Sequence, residues 1–272
     1  MISYDIMHMS IYRNNFNYFM AKEDLMKIFA NIPGALKLII CLKYMRSNKH
    51  EIEKAKAAGD FEREREYILK STSSWGPMVM EMFGSTLNVR GLENLPDKGP
   101  VVFVGNHQGY ADIIAYFSAF RKFQFGFVAK ENLEKLPLYG EWIRRIRSVF
   151  IKRNDSRAAL KAINEGIKYI EKGFSLVIFP EGTRSKGPVP GHFQKGALKL
   201  ATKPGVPIIP VSINGTYKMF EESGYLKSAD IDIIVHKPIE TKSLTKDEEK
   251  DLTEKVEKIV FDGVRELQNI RK

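Results

Sequence analysis

The 272-residue sequence contains one cysteine, Cys41, and therefore no internal disulfide bond. A chain without disulfides suits a reducing compartment such as the cytosol. No apolar run reaches the roughly 20 residues that a membrane-spanning helix needs, because the longest candidate, ALKLIICL, is short and contains Lys37. The first residues, MISYDIMHMS, also lack the basic start and apolar stretch of a signal peptide. We therefore expect a protein that is neither secreted nor membrane-spanning.

Metal-ligand patterns are also missing from the sequence. Apart from the single cysteine there are five histidines, and no two of them have the His-x-x-x-His spacing that places two ligands on one helix face. We expect neither a bound metal nor a cofactor.

Acidic residues are outnumbered, with 33 Asp and Glu against 43 Lys and Arg, which gives a net charge of +10. A basic excess suits nucleic acid, an anionic membrane surface or a phosphorylated substrate. The aromatic residues are not interleaved with a basic stripe, as in single-strand binders, and no helix has the character of a DNA-recognition helix. These patterns argue against nucleic acid as a partner.

Residues 1–83 are rich in Met, Phe and Lys and show helical spacing of apolar residues. The NIPG stretch predicts a break at Pro33 and Gly34. One interpretation is a set of helices that pack on the main domain. The other is an interfacial membrane anchor, because apolar helix faces flanked by lysines can lie in the headgroup region of an anionic bilayer.

Residues 84–272 alternate between strand-like and helix-like segments, which predicts an α/β fold with a mixed, largely parallel sheet flanked by helices. DIDIIVHKPI alternates in polarity and is predicted as an edge strand, and FQKGALKLATKPG is predicted as a helix. The last helix opens with Thr245 and Glu248, the spacing of a capping box.

The stretch VVFVGNHQGYADI, residues 101–113, ends an apolar strand with His107 and places Asp112 five residues later. On a regular helix, five residues rotate by about 500°, so the two side chains would point apart. They meet only if His107 lies in the loop before a helix and Asp112 lies in its first turn. A carboxylate on one imidazole nitrogen leaves the other nitrogen to accept a proton.

The alternative for His107 is a structural histidine at the start of the helix. No serine or cysteine nucleophile stands beside the pair in GNHQG. If His107 is catalytic, the sequence therefore favours a base that activates a hydroxyl carried by the substrate.

Two further stretches combine strand ends with basic or hydroxyl side chains. FPEGTRS, residues 179–185, offers loop amides and a guanidinium that can bind phosphate, although an ordinary polar turn would have a similar composition. It is not a P-loop, since the Gly-rich spacing is absent. RRIRSVFIKR, residues 144–153, is the densest basic stretch; it is either solvated or binds phosphate or anionic lipid.

Taken together, these stretches resemble the 1-acyl-glycerol-3-phosphate acyltransferases, also called lysophosphatidate acyltransferases. The resemblance covers roughly residues 75–235, and the joining stretch VAKENLEKLPLYG at 128–140 is also similar. Four blocks match in order: NHQGYAD at 106–112, SVFIKR at 148–153, FPEGTRS at 179–185 and VPIIPVSI at 206–213.

The resemblance implies an O-acyltransferase of phospholipid biosynthesis with a glycerolipid acyltransferase-like fold. Residues 84–272 would form the catalytic domain, and residues 1–83 a helical segment that anchors it to the cytoplasmic face of an anionic membrane. The enzyme would be peripheral or monotopic. Its substrates would be lysophosphatidic acid and an acyl thioester, either acyl-CoA or acyl-carrier protein, and its product phosphatidic acid.

The resemblance also implies roles for individual residues. His107, oriented by Asp112, would take the proton from the free hydroxyl of the acceptor. Lys130 would lie near the reacting carbonyl or the phosphate. The residues implied in binding the acceptor's phosphate are Arg153, Glu181, Gly182, Thr183 and Arg184.

Two other functions stay open on the sequence. One is a sibling acyltransferase that uses glycerol 3-phosphate or another lysolipid as acceptor. The other is a non-catalytic basic module that binds anionic lipid or nucleic acid.

Overall fold

The computed structural model describes residues 22–152 and 155–270. Within these residues, seven strands form one sheet in the order β1-β7-β6-β2-β5-β3-β4. The strands are β1 Thr86–Arg90, β2 Val102–Gly105, β3 Phe125–Lys130, β4 Val149–Ile151, β5 Ser175–Ile178, β6 Ile208–Asn214 and β7 Asp230–Val235. The α-helices are α1 Lys22–Tyr44, α2 Lys49–Ala58, α3 Phe61–Met82, α4 Asp112–Ala119, α5 Tyr139–Arg145, α6 Ser156–Glu171, α7 Lys199–Thr202 and α8 Lys246–Ile270. Short 3₁₀ helices cover Leu92–Asn94, Glu131–Lys135 and Thr216–Met219.

The sheet is mixed and largely parallel, as predicted. Only β6 and β7 pair antiparallel; the other neighbouring strands run parallel. The prediction of β7 as an edge strand is wrong, because β1 pairs with its outer side. The alternating, half-exposed pattern of a true edge belongs to β1 instead.

Helices cover both faces of the sheet, and β2 at its centre shows why. Alternate residues of a strand point to opposite faces. Phe103 joins one core, in which it stacks on Phe120 with ring centroids 4.6 Å apart. Val102 and Val104 join a second core with Val256 of α8. Burial of both faces explains the continuous apolar run of this strand.

Two predicted helices differ from the structure. The helix expected over FQKGALKLATKPG is reduced to the four residues of α7, because Gly196 adopts a left-handed φ of 91° and interrupts it. The capping box at the start of α8 is confirmed: the Glu248 amide donates to the Thr245 hydroxyl oxygen at 3.3 Å, and the Thr245 amide donates to the Glu248 carboxylate at 2.8 Å.

The predicted break at Pro33 is also wrong, since α1 continues through this residue. Contacts on either side of Pro33 support the helix. The Asn31 side chain donates to the carbonyl of Gly224 and accepts from the amide of Leu226, both at 2.7 Å. A Cβ at Gly34 would come within 2.7 Å of the Leu226 side chain, so the glycine lets the helix approach that residue closely. A proline costs a helix about 3 kcal/mol, and these contacts offset part of that cost.

The N-terminal helices share the first core with the sheet from Cys41 onward, through residues such as Met45 and Ile52. On the outer side of α1, large apolar side chains are exposed, and residues 1–21 of the predicted anchor lie outside the described residues. None of the helices in the described ranges has the length and apolarity to cross a bilayer. The exposed apolar side chains of α1 are Phe29, Ile32, Leu36, Ile39, Ile40 and Tyr44.

Three arginines of the basic stretch 144–153, namely Arg144, Arg145 and Arg147, are paired with acidic residues. Arg147 is buried and binds both carboxylate oxygens of Glu64, at 2.6 and 2.7 Å. Arg145 is buried and pairs with Glu141 at 2.7 Å. These two arginines therefore belong to the interior of the fold. For them, the interpretation of the stretch as a binding surface for phosphate or anionic lipid is wrong.

Candidate active site

The candidate site lies at the carboxyl ends of β2, β5 and β6, which are neighbours in the sheet. Parallel strands place their carboxyl ends at the same edge, where ligands of α/β proteins bind. Here the loop after β2 carries His107, the loop after β5 carries Glu181 and Arg184, and the loop after β6 carries Thr216.

His107 and Asp112 meet at this edge. Asp112 is the first residue of α4, and its Oδ2 lies 2.6 Å from Nδ1 of His107, which stands in the preceding loop. The Asp112 side chain is fully buried, whereas 20% of the His107 side chain is exposed. The loop-to-helix bend expected from the five-residue spacing is therefore present in the structure.

The Asp112 carboxylate is held by more than the histidine. Its Oδ2 also accepts the amides of Gln108 and Gly109, at 2.8 and 3.1 Å. Its Oδ1 accepts the hydroxyl of Thr216. With donors on both oxygens, the carboxylate has one orientation available to it, and so does the imidazole that it binds.

The ring of His107 is further fixed by a stack on Phe179, with centroids 4.3 Å apart and planes 8° from parallel. Because Nδ1 faces a carboxylate, this nitrogen carries the proton in the neutral ring, and Nε2 is left with a lone pair. The arrangement can accept a proton from a ligand hydroxyl at Nε2. The hydroxyl of Ser185 in the neighbouring loop is not bound to this nitrogen, because it donates to the carbonyl of Gly187 at 2.9 Å.

Glu181 ties two loops together. One carboxylate oxygen accepts the backbone amide of His107 and the other that of Gly191, both at 2.7 Å. Burial raises the pKa of Glu181 to about 7, although both hydrogen bonds act in the opposite direction. The resemblance implies that Glu181 takes part in binding the acceptor's phosphate, and that role stays a prediction. In the structure its carboxylate holds the two loops together through these backbone amides.

The rest of the loop after β5 runs beside the loop of His107. The amide of Ser185 donates to the carbonyl of His107 at 2.8 Å, which joins the two loops. Gly182 makes the turn with a left-handed φ of 69°. Thr183 is exposed, and the Arg184 side chain is 23% exposed.

Arg184 is held in a defined position by two neighbours. Its Nη1 donates to Oε1 of Glu221 at 2.6 Å. Its guanidinium carbon lies 3.6 Å from the ring centroid of Tyr110, a cation–π contact. Tyr110 belongs to the loop between His107 and Asp112, so the structure brings Arg184 and the histidine pair together.

Lys130, a predicted site residue, makes no contact with this cluster among the described residues. Lys130 ends β3, which is separated from β2 by β5, and its side chain is exposed. Arg153 lies outside the described residues. The roles predicted for both stay predictions. Across the described ranges, no three His, Cys, Asp or Glu side chains are grouped as metal ligands.

Several residues of the site were not identified from the sequence. Asn106 exchanges two hydrogen bonds of 2.9 Å with the backbone of Ile213, which fixes the start of the His107 loop to β6. Gln108 accepts the amide of Gly215 at 2.9 Å. Thr216 and Glu221 complete the set. The block VPIIPVSI at 206–213 overlaps β6. The hydroxyl residue three positions after it, Thr216, was the one sequence feature that could have indicated a site residue there.

Known proteins resemble this chain in sequence and in fold. Residues 86–214 match the family model described as Acyltransferase. The 1-acyl-sn-glycerol-3-phosphate acyltransferase of Borreliella burgdorferi is 33% identical over 171 residues, which are 62% of this chain and 68% of the relative. The chloroplast enzyme of the same name from Brassica napus, BAT2, is 36% identical over 61% of this chain.

The chain spans about half the length of the plant relatives it matches, with 48% of the Brassica napus protein and 43% of the Arabidopsis thaliana protein covered. A solved structure is also similar. The crystal structure of the 1-acyl-sn-glycerophosphate acyltransferase PlsC from Thermotoga maritima superposes with a TM-score of 0.66 at 29% identity. That match covers 86% of this chain and 97% of the Thermotoga maritima chain.

Proposed function

This chain belongs to the 1-acyl-sn-glycerol-3-phosphate acyltransferase family, and on that premise we propose that it acylates lysophosphatidic acid. The acyl chain would pass from an acyl thioester, acyl-CoA or acyl-carrier protein, to the free sn-2 hydroxyl of the acceptor, and the product would be phosphatidic acid. The observation that carries the proposal is the His107–Asp112 pair, with Nδ1 bound to the carboxylate and Nε2 left to accept a proton.

In the proposed mechanism, Nε2 of His107 takes the hydroxyl proton while the hydroxyl oxygen attacks the thioester carbonyl carbon. A carbon–oxygen bond forms and the carbon–sulfur bond breaks. The proton then passes from the imidazolium to the leaving thiolate, so the enzyme returns to its starting state. Asp112 stabilises the imidazolium in between. A general base of this kind contributes about 10²- to 10⁴-fold to the rate.

The phosphate of the acceptor would bind at Arg184 and the exposed turn at Gly182 and Thr183. Arg184 has a partly exposed guanidinium next to the loop of His107, and a guanidinium can hold a phosphate through two parallel hydrogen bonds. Arg153 is a further candidate from the sequence. Lys130 would contribute charge near the reacting carbonyl or the phosphate. No cofactor is required, since the acyl thioester supplies the activated group.

Membrane contact would be made by the exposed apolar side of α1, which includes Leu36 and Ile40. Apolar helix faces of this kind insert at the boundary of headgroups and acyl chains, and the net charge of +10 favours an anionic surface. We place the protein at the cytoplasmic face of a membrane, bound peripherally or monotopically, where its lipid acceptor is found.

The test is an acceptor panel. The purified chain is given labelled acyl-CoA or acyl-carrier protein together with lysophosphatidic acid, glycerol 3-phosphate or a lysophospholipid without a terminal phosphate. We expect transfer to lysophosphatidic acid to exceed transfer to the others. Transfer to glycerol 3-phosphate or another lysolipid, with none to lysophosphatidic acid, would contradict the proposal. Transfer to no acceptor would indicate a non-catalytic module.

A further inference from the structure

We propose that Glu221 is a positioning residue that fixes Arg184 relative to His107. The distance between the two residues would then select acceptors by the distance between their phosphate and their free hydroxyl. This inference rests on the proposed function, because it assigns a role to the neighbour of the phosphate-binding arginine. Glu221 lies outside the four sequence blocks and follows the 3₁₀ helix Thr216–Met219.

One oxygen of Glu221 links Arg184 to the loop that carries His107. Oε1 accepts Nη1 of Arg184 at 2.6 Å and also the backbone amide of Tyr110 at 2.9 Å. Tyr110 lies between His107 and Asp112 in the chain, so the loop of the base and the arginine share a single acceptor atom. The Tyr110 ring covers the guanidinium from the other side. Arg184 is thus held to the base's loop by a hydrogen bond and a stack.

The Glu221 side chain has little freedom to move. It is 3% exposed, and its Oε2 is enclosed without a hydrogen bond from any residue in the described ranges. A Cβ at position 109 would come within 2.4 Å of this oxygen, so Gly109 leaves the room that the carboxylate fills. A buried, charged side chain in such a close fit keeps the arginine at one place.

The loop that carries Glu221 is itself attached on both sides. Ahead of it, Thr216 donates to Asp112. Behind it, the backbone at Gly224 and Leu226 is bound by Asn31 of α1. The position of Glu221 is therefore fixed by the His107–Asp112 pair at one end of the loop and by α1 at the other.

The consequence is a fixed spacing between base and phosphate. A guanidinium has five N–H donors, and Glu221 takes one of them, so Arg184 can still bind a phosphate with the rest. If the phosphate is held there, the hydroxyl that reaches Nε2 of His107 is the one at the matching distance along the glycerol backbone. A misplacement of about 1 Å in such an arrangement can cost on the order of 100-fold in rate.

The experiment compares the full chain with Glu221→Ala, Glu221→Gln and Arg184→Ala, alone and combined, with lysophosphatidic acid as acceptor. We expect Glu221→Ala to lower kcat/KM at least about tenfold, mainly through KM, because the arginine loses its position. Glu221→Gln should keep most of the activity, since its amide oxygen still accepts both N–H groups. In the Arg184→Ala background, Glu221→Ala should cost much less than in the wild type, since only the acceptor of the Tyr110 amide is lost there.

Two results would overturn the inference. One is a Glu221→Ala enzyme with the kinetic constants of the wild type. The other is an equal loss from Glu221→Ala with and without Arg184, which would mean a general structural role. Thermal unfolding checks that each variant is folded, and Glu221→Asp, which keeps the charge but shortens the reach, replaces the alanine variant if that one does not fold. A wild type that fails to acylate lysophosphatidic acid would instead remove the proposed function.

Discussion

His107 is held by two carboxylates, one on its ring and one on its backbone. Asp112 binds Nδ1, and Glu181 binds the amide nitrogen. The first partner is five residues away in the chain and the second 74 residues away. The orientation of the imidazole therefore depends on a local bend and also on the correct pairing of β2 with β5.

Glu181 should make the stability of the protein depend on pH. Its pKa is raised by burial from 4.5 to about 7, so between these values the folded state binds more protons than the unfolded state. The contribution to the free energy of unfolding is fully present below pH 4.5 and is lost as pH rises through 7. At about 1.4 kcal/mol per pKa unit, the loss amounts to roughly 3 kcal/mol.

Denaturant unfolding of the wild type and of Glu181→Gln across this pH range measures the effect. Glutamine does not titrate, so the wild type should lose stability relative to the variant as pH rises. At low pH the variant should be the less stable of the two, because its NH₂ group cannot accept the backbone amide that a carboxyl oxygen of Glu181 accepts. Parallel pH curves for the two proteins would show that Glu181 titrates normally.

The sequence predicted the pair His107 and Asp112 because a five-residue spacing can be analysed locally. Thr216 and Glu221 were not predictable in this way. Thr216 reaches Asp112 over 104 residues, and Glu221 reaches the Tyr110 amide over 111 residues. Their contacts exist only once β6 lies beside β2, and a single hydroxyl or carboxylate carries no local pattern.

At the scale of elements, α3 is joined to the sheet by a buried ion pair. Glu64 of α3 binds Arg147, which precedes β4, and both side chains are almost fully buried. We expect Arg147→Met to destabilise the protein by about 3–5 kcal/mol, because it leaves the Glu64 carboxylate buried without its partner. Chemical denaturation gives the free energy of unfolding directly.

Arg144 offers the matched control in the same stretch. Its pair with Glu134 is exposed, with 51% and 38% of the side chains accessible, so Arg144→Met should cost about 1 kcal/mol or less. Equal costs for the two variants would mean that the ion pair of Arg147 does not hold α3 to the sheet.

The order of strands and helices from β1 to α8 was largely predictable, because alternating periods of two and 3.6 residues mark the elements. Positions within the sheet were not. The pattern of β7 resembles an edge strand, yet β1, from an earlier part of the chain, pairs with its outer side. Likewise, α1 continues through Pro33 because Asn31 binds a loop some 190 residues away.

At the scale of the whole molecule, the exposed apolar side of α1 should govern binding to membranes. Each apolar side chain that enters the bilayer contributes roughly 1.5–3 kcal/mol when fully buried. We expect the double variant Leu36→Ser with Ile40→Ser to bind anionic phospholipid vesicles at least about tenfold more weakly than the wild type in a sedimentation assay.

The control is Leu160→Ser with Val189→Ser, which removes two side chains that are at least as exposed, from other parts of the surface. This variant should bind like the wild type. Equal binding by all three proteins would rule out α1 as the main membrane contact. Substitution is preferable to deletion of the segment, since Cys41 and Met45 belong to the core.

The proposed mechanism depends on His107 taking the proton from the lipid hydroxyl. The most direct measurement is the rate of acyl transfer to lysophosphatidic acid by purified His107→Ala, with vesicle binding measured on the same preparation. We expect the rate to fall by about 10²- to 10⁴-fold. Vesicle binding should be unchanged, because α1 is the proposed membrane contact and the backbone amide that Glu181 binds remains. A transfer rate equal to that of the wild type would contradict the proposed mechanism.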